Sequence, residues 1–597
     1  MDKPQSTRRR KARRRVMVLL VLCCAVFALF LARLAWLQFA MADHYAQKMA
    51  EASSASYTLP QHAARGAITD RSGTVLAQDE TVYDVYLRVP APPGTNLRET
   101  VNTIETLTGG KDVETQLAAF CSAVSAGELP VTQGLDSIGA AAYYRAGLVQ
   151  NGAVRLAARG VRRWPDGTIL PHTLGFTGPI TAEQWPAARA QGLAMDATIG
   201  QNGLEAAYDT LLRGRDGQLQ INVGLDGVTR ETVQTSTPVP GCTLVLTLDA
   251  DLQKTLQTAL QNQMDTLRTT KGIGAGREVR AGAAVVVDVR TGGILAAASL
   301  PDFDLSRYRS DYAALSADSA APLLDRVCQG LYAPGSAFKP AVAAAALTAD
   351  IDPAATVNCT GKYFYYSNYH PGCLQYGHRG PVDLRTALEY SCNIFFYDTG
   401  RRLGVDTFSA MARQLGLAND TGVEITAAQG RLTWSTDTNY QDGLTLMAAI
   451  GQGNTAVTPL QLVQYAAALA NYGRKPTLHF ADRAVQPATG AAVWQYEPAF
   501  TEIPGGEAVF GPIRDGMKRM AQTARALREA PVTIAAKTGS PQLADTLPGG
   551  SHYVNSVLIG YAPADDPQIA MAVVLEYGGG GANAAPVMRA VLDAWFE

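Results

Sequence analysis

The sequence predicts an α+β fold, an antiparallel sheet covered by helices, carried on an elongated N-terminal module behind one transmembrane helix. Three observations predict it. A long apolar run stands near the N-terminus, a helical pattern followed by a hairpin pattern begins near residue 247, and three strand patterns and a last helix follow a long helical insertion. A chain of 597 residues is too long for one ordinary core, so more than one domain is expected. With 47% hydrophobic and 17% charged residues and no low-complexity tract, the composition is that of a globular protein.

Residues 1–15 hold eight basic side chains and one acid, a net +7 against −2 for the whole chain. The remainder therefore carries −9, which argues against a nucleic-acid binder. The uncharged run 16–32 follows, continued past Arg33 through residues 34–40. It is long enough to span a bilayer, with Arg33 snorkelling and Trp36 at the interface. The basic cluster then places the N-terminus in the cytoplasm and the bulk of the chain outside the cell membrane. A cleaved signal peptide is the competing reading. The run is longer than a signal core and lacks a small-x-small cleavage site, so a retained anchor is expected.

From 41 to about 239, short strand-like and helical pieces alternate with turns. Residues 65–77 read as two extended pieces around an Asp70–Gly73 turn, and Gly203-Leu-Glu205 leads toward Gly214. None of these pieces pairs a nucleophile with a base. The expected organisation is a basic tail at 1–15, an anchor at 16–40, a pedestal at 41–240 and a second domain at 241–597.

Asp249 is a suitable cap for a helix whose Leu252, Leu256, Leu260, Met264 and Leu267 share one face. A hairpin follows, 283–289 and 294–298 around the turn 290–293. Strands are expected at 532–536, 554–561 and 569–575, and a helix at 585–596. Helix, two strands, helical insertion, three strands and helix compose an antiparallel sheet covered by its first and last helices.

Ser336 and Lys339 fall at the start of the insertion, before an alanine-rich helical stretch. Positions i and i+3 of a helix share a face, so the two are neighbours. A serine hydroxyl needs a base to become a nucleophile, and a buried lysine can supply one because desolvation lowers its pKa. A capped helix start with a solvated lysine accounts for the same residues. Two further clusters stand out. Ser391 and Asn393, two apart, suit a short loop between helical segments, and Lys537-Thr538-Gly539-Ser540 ends an apolar strand, where Gly539 leaves room for a ligand backbone. Each alone also reads as ordinary loop or turn chemistry.

In this order and with these flanks, the three clusters resemble the site of the penicillin-recognising serine enzymes. With residues 65–77, Gly203-Leu-Glu205, residues 246–249, Gly451-Gln-Gly453 and Thr458-Pro-Leu-Gln461, the chain from Arg65 onward resembles the class B penicillin-binding proteins. Residues 377–380 and 391–397 are most similar to the elongation, or cell-shape, subgroup (penicillin-binding protein 2 type), with sporulation enzymes close behind. No glycosyltransferase module stands between anchor and pedestal, the feature that separates class B from class A.

The resemblance implies a penicillin-binding, serine β-lactamase-like transpeptidase domain on a dimerisation-type pedestal. It implies that Ser336 is the acylated nucleophile and Lys339 its base, that Ser391 relays a proton, that Asn393 bonds the peptide, and that Lys537 sets the electrostatics. Thr538 would hold the substrate carboxylate beside Gly539, and backbone N–H groups of Ser336 and Ser540 would form the oxyanion hole. Serine replaces the usual threonine at 540 and keeps both donor and hydroxyl. The implied reaction cross-links peptidoglycan stem peptides derived from lipid II, without a catalytic cofactor. β-Lactams would trap Ser336, and a multi-pass glycosyltransferase is the implied partner. A membrane β-lactam sensor, or a D,D-carboxypeptidase or β-lactamase on the same fold, are the alternatives.

Cys23 and Cys24 lie in the anchor, and Cys121, Cys242 and Cys328 are expected as buried small residues. Cys359, Cys373 and Cys392 cluster around His378, the ligand composition of a tetrahedral structural zinc site. A Cys359–Cys373 disulfide and unpaired thiols are the competing readings. Zinc is preferred because it uses all four residues; His370 is a spare ligand. His44, His62, His172, His479 and His552 are assigned no catalysis.

Overall fold

The computed structural model of the chain describes residues 6–51, 53–124, 127–224, 229–373, 378–548 and 550–597. Residues 1–5 of the basic tail and Gly377 of the subgroup phrase lie outside the described residues. The chain forms two compact units, Met1–Ala63 with Arg215–Val239, and Ala64–Gly214 with Pro240–Glu597.

In the first unit a helix Ser6–Ala35 runs into a π-helical turn Trp36–Ala40. The span Ala12–Ala40, mean hydropathy 2.7, is long and apolar enough to cross a membrane by length and composition. The Arg33 guanidinium lies 4.3 Å from the Trp36 ring centroid, a pairing suited to a helix end at an interface. A three-stranded sheet completes the unit, with Gly217–Gly224 between Ser53–Gln61 and Thr229–Ser236.

In the second unit, the strands Ile68–Thr69, Val75–Val89, Gly127–Leu135 and Val154–Arg163 share a seven-stranded sheet with Thr243–Leu246, Ala481–Val485 and Ala492–Gln495. Residues 64–214 are therefore continuous with 240–597 through backbone pairing. Buried Glu205 holds this region together: its carboxylate accepts from Arg65 Nε and Arg162 Nε, each at 2.6 Å. Burial of one acid between two bases removes all three from water, so each depends on the others.

The remaining core is a five-stranded antiparallel sheet ordered Ile294–Leu300, Gly282–Asp288, Ile569–Leu575, Ser556–Ala562, Ala535–Gly539. It is buried on both faces, and strand alternation divides its side chains between two cores. Ala284 and Val286 face the helices Ala250–Arg268 and Ala585–Phe596, whereas Val285 and Val287 join the core containing Phe338, Val342 and Leu460. Asp249 accepts from the Leu252 N–H, and Leu252, Leu256, Leu260, Met264 and Leu267 are all buried, as their spacing predicts.

Two expectations are corrected. The apolar run 532–536 is not the strand; the strand is Ala535–Gly539, because Lys537 pairs with Ile559 and Gly539 with Val557. The ladder is made by backbone groups, so it continues through polar residues past the end of the apolar pattern. Cys121 is exposed and Cys242 half-buried; only Cys328 of the three is buried. The buried face of the helix Val113–Ala123 consists of Val113 and Leu117 and ends before Cys121.

Candidate active site

Ser336 lies in a 3-10 turn, Gly335–Phe338, that leads into the helix Lys339–Thr348. In a 3-10 turn side chains three apart eclipse, which sets Lys339 above Ser336 more directly than an α-helix would. The helix is buried from Lys339 through Ala346, so the lysine amine enters an apolar interior. Gly335 has φ +56, its N–H donates to the Gly451 carbonyl at 2.9 Å, and a Cβ on Gly451 would lie 2.2 Å from the Gly335 carbonyl oxygen. Gly451 thus buttresses the serine turn.

Lys339 Nζ donates to the Ser391 carbonyl at 2.7 Å, the Asn393 Oδ1 at 2.7 Å and the Ser391 hydroxyl at 3.2 Å. Ser391 stands between the helices Leu384–Glu389 and Asn393–Leu403, in the left-handed region at φ +57. That costly conformation turns both its hydroxyl and its carbonyl toward the lysine. Asn393 also donates from Nδ2 to the Gly372 carbonyl at 3.2 Å. Lys537, on the edge strand, donates to the Ser391 hydroxyl at 3.0 Å and to the Thr538 carbonyl at 3.0 Å.

Both amines are fully buried. Burial pushes Lys339 down to about 7, against the opposing pull of the nearby Cys392 and Cys373 sulfurs. Burial first, and then the charge of Lys339, pushes Lys537 well below the ordinary lysine value. The pair can therefore supply a neutral amine near neutral pH.

The strand bearing Lys537 is pressed against the serine turn. A Cβ on Gly539 would lie 2.2 Å from the Pro334 carbonyl oxygen, so only glycine fits there. A Cβ on Gly335 would lie 3.2 Å from the Ser540 backbone nitrogen, which brings that N–H beside the serine turn. The Ser540 hydroxyl accepts from the Gly581 N–H at 2.9 Å, and the Thr538 side chain is half-buried. A nucleophilic hydroxyl, a buried amine whose burial favours the neutral form, a bridging hydroxyl and adjacent backbone donors are the parts needed for acyl transfer.

Cys359, Cys373, Cys392 and His378 are buried, with their four ligand atoms within 4.8 Å of one another. His378 Nε2 lies 3.6 Å from both the Cys359 and the Cys373 sulfur. Tetrahedral zinc with ordinary Zn–S and Zn–N bonds requires S···N separations of about 3.6 Å, so the residues fit that ion. N–H groups of Asn393 and Arg379 point at the Cys373 and Cys359 sulfurs, at 3.4 Å each, and would support thiolates. His370 is outside the cluster, beside the Phe364 ring. His552 opens a short strand, His552–Val554, rather than lying in a loop, because it pairs with Thr546. His172 bonds the Pro322 carbonyl and His479 is buried against Tyr496.

Sequence reasoning had no mechanical role for Gly451, Gly335 or Gly372. The signal for the first two was glycine in a repeated or turn context; nothing local pointed to the third.

Residues 282–593 match the penicillin binding protein transpeptidase domain, more than half of the chain. The chain belongs to the penicillin-binding protein transpeptidase family. Residues 60–246 of this penicillin-binding protein match the penicillin-binding protein dimerisation domain. It is 28% identical over 592 residues to the peptidoglycan D,D-transpeptidase MrdA of Acinetobacter baumannii, covering 94% of this chain and 84% of that one. A chain in the solved structure titled "Structural coordination of polymerization and crosslinking by a peptidoglycan synthase complex" matches with TM-score 0.73 and 28% identity, over 98% of each chain. The penicillin-binding protein PBP2 of Helicobacter pylori, solved in complex with MreC, shares the fold at TM-score 0.73 and 23% identity, covering 91% of this chain and 99% of that one. This is a class B penicillin-binding protein of the PBP2 type.

Proposed function

We propose that this protein is a serine-type peptidoglycan D,D-transpeptidase that cross-links stem peptides during cell elongation. The observation that carries it is the single Ser391 hydroxyl held by both Lys537 and Lys339, the latter one turn after Ser336 in the chain. The mechanism follows from these positions. Neutral Lys339 takes the Ser336 proton as the oxygen attacks the carbonyl of a D-Ala–D-Ala bond. Backbone N–H groups of Ser336 and Ser540 hold the oxyanion, an arrangement in which losing one donor costs about 10²–10³ in rate. The proton passes from Lys339 through the Ser391 hydroxyl to the departing D-Ala nitrogen, and Lys537 stabilises that hydroxyl. Thr538 holds the terminal carboxylate, with Gly539 leaving room for the peptide. An amine of a neighbouring strand then displaces Ser336 and forms the cross-link.

Asn393 orients Lys339 and, through Gly372, the wall of the cleft. Cys359, Cys373, His378 and Cys392 would hold a structural Zn2+ in this reading, and with all four as ligands they would tie the segment before the Ser391 loop together rather than supply chemistry. The protein sits in the cell membrane with a cytoplasmic N-terminus and its catalytic domain, 241–597, outside. The pedestal at 41–240 and the anchor are the surfaces offered to a multi-pass glycosyltransferase.

The deciding experiment pairs a label with an assay. Ser336→Ala should abolish labelling by a fluorescent penicillin, and wild-type protein with a polymerase and lipid II should yield cross-linked dimer. Release of D-Ala without dimer would reassign the protein as a carboxypeptidase.

A further inference from the structure

A hairpin lies beside the Ser391 loop. Its base pairs Val357–Cys359 with Gly380–Val382, and a second set of bonds joins Lys362 to Gly372 and the Tyr363 N–H to the Pro371 carbonyl. Beyond them projects a tip, 363–371, whose root is fastened to the site: the Gly372 carbonyl accepts from Asn393 Nδ2 at 3.2 Å.

The composition of the tip is unusual. Residues 363–371 hold five aromatic rings and no Leu, Ile, Val or Met, and their formal charge is zero with His370 neutral. Phe364 is 63% exposed, Tyr365 59% and Tyr369 37%, which sets them apart from the rings of the core. The structure nonetheless fixes their orientation. Tyr363 stacks with Tyr365, the Arg401 guanidinium lies 3.9 Å from the Tyr365 ring centroid, and the Tyr366 hydroxyl reaches the Asp442 carbonyl at 3.5 Å. Phe364 packs against His370, and Tyr369 borders Gly443. The exposed rings of Phe364 and Tyr369, held in place by these neighbours, form a preorganised stacking surface.

We infer that this tip is a saccharide-binding platform that receives the glycan backbone of the strand whose stem peptide occupies the cleft. The inference rests on the transpeptidase reading. A stem peptide is covalently joined to a sugar, so an acyl chain on Ser336 carries its glycan with it. Four extended residues reach about 14 Å, so the sugar stays within that distance of the acylated serine, and the tip is joined to the site through the Asn393–Gly372 hydrogen bond. Sugar rings are uncharged, with apolar C–H faces and hydroxyl edges, which complements the exposed rings of Phe364 and Tyr369. A lipid surface would call for aliphatic side chains, which residues 363–371 lack.

The test uses the full-length protein and uncross-linked glycan strands, both intact and stripped of their peptides. The double variant Phe364→Ser/Tyr369→Ser should bind stripped strands about fivefold or more weakly than wild type, and raise KM for intact strands with kcat within about twofold. Its labelling by fluorescent penicillin should be unchanged, because that ligand does not extend to the tip. Phe364→Trp/Tyr369→Trp should restore strand binding, since stacking needs a ring and not a particular one. Equal binding of stripped strands by wild type and the serine variant overturns the inference. So does a loss that appears only with a protein partner present, which would make the tip a protein contact. If the serine variant loses penicillin labelling, its fold is damaged and Phe364→Leu/Tyr369→Leu, which also removes both rings, takes its place, with the same outcomes. If wild type forms no cross-link, the transpeptidase reading fails, while binding of stripped strands still decides the platform.

Discussion

Lys339 and Lys537 converge on one oxygen, the Ser391 hydroxyl, at 3.2 and 3.0 Å. Two ammonium groups so close together in a dry interior repel strongly, and each is also costly to desolvate. The least costly states leave at most one of the two amines charged. The edge strand and the buried helix keep the pair apart from water, so the fold itself selects a neutral base.

This fixes a pH dependence. Lys339 is pushed down to about 7 by burial, and its working form is the neutral amine, which gains population as pH rises. Acylation by penicillin should fall about tenfold per unit on the acid side of that value and level off above it. Stopped-flow labelling from pH 5 to 9 reads the profile. A flat profile, or one that rises toward acid, removes Lys339 from the role of base.

Gly539→Ala should cost at least about 100-fold in acylation, the scale expected when one oxyanion donor is displaced. The added Cβ would meet the Pro334 carbonyl at 2.2 Å, so either the strand or the serine turn must move. Because Lys537 lies on this strand and Ser540 directly follows it, their donors move with it. Labelling rates near wild type would show that the strand and turn are not held as tightly as the contact requires.

Elemental analysis should find one zinc per chain, and Cys359→Ser should lower that content and the thermal midpoint. The neighbouring Cys392 immediately precedes Asn393 and follows Ser391, so loss of the ion should also slow penicillin labelling. Zinc-free protein carrying a 359–373 disulfide by mass spectrometry would replace the metal with a covalent bond.

Glu205→Ala leaves Arg65 and Arg162 buried with their shared carboxylate gone. Breaking a buried ion network in this way costs about 3–5 kcal/mol, far more than a surface pair would. Urea unfolding monitored by tryptophan fluorescence should report that loss. An unchanged midpoint would mean that Asp209 and Asp79, which also contact these arginines, suffice alone.

Where periodicity is local, it was legible from residues alone. The Leu252 to Leu267 stripe, the hairpin around residues 290–293 and the last helix stand where their spacing puts them. The strand ending in the lysine motif was displaced by about three residues because its pairing continues through Lys537 and Gly539, where the apolar pattern has stopped. Cys121 shows the same limit, since a thiol's burial depends on the neighbouring element and not on its own apolarity.

The sequence by itself determined the apolar N-terminal span, the antiparallel sheet with its covering helices, and the three clusters around Ser336, Ser391 and Lys537. Those features are encoded in spacings of a few residues, which helix and strand geometry convert directly into faces. Only the tertiary structure decided that Lys339 and Lys537 meet on Ser391, that Gly451 and Gly539 clamp the serine turn, and that three cysteines and His378 close into one cluster. Each of these joins residues far apart in the chain, and such contacts depend on how whole elements pack, which no short window of sequence contains.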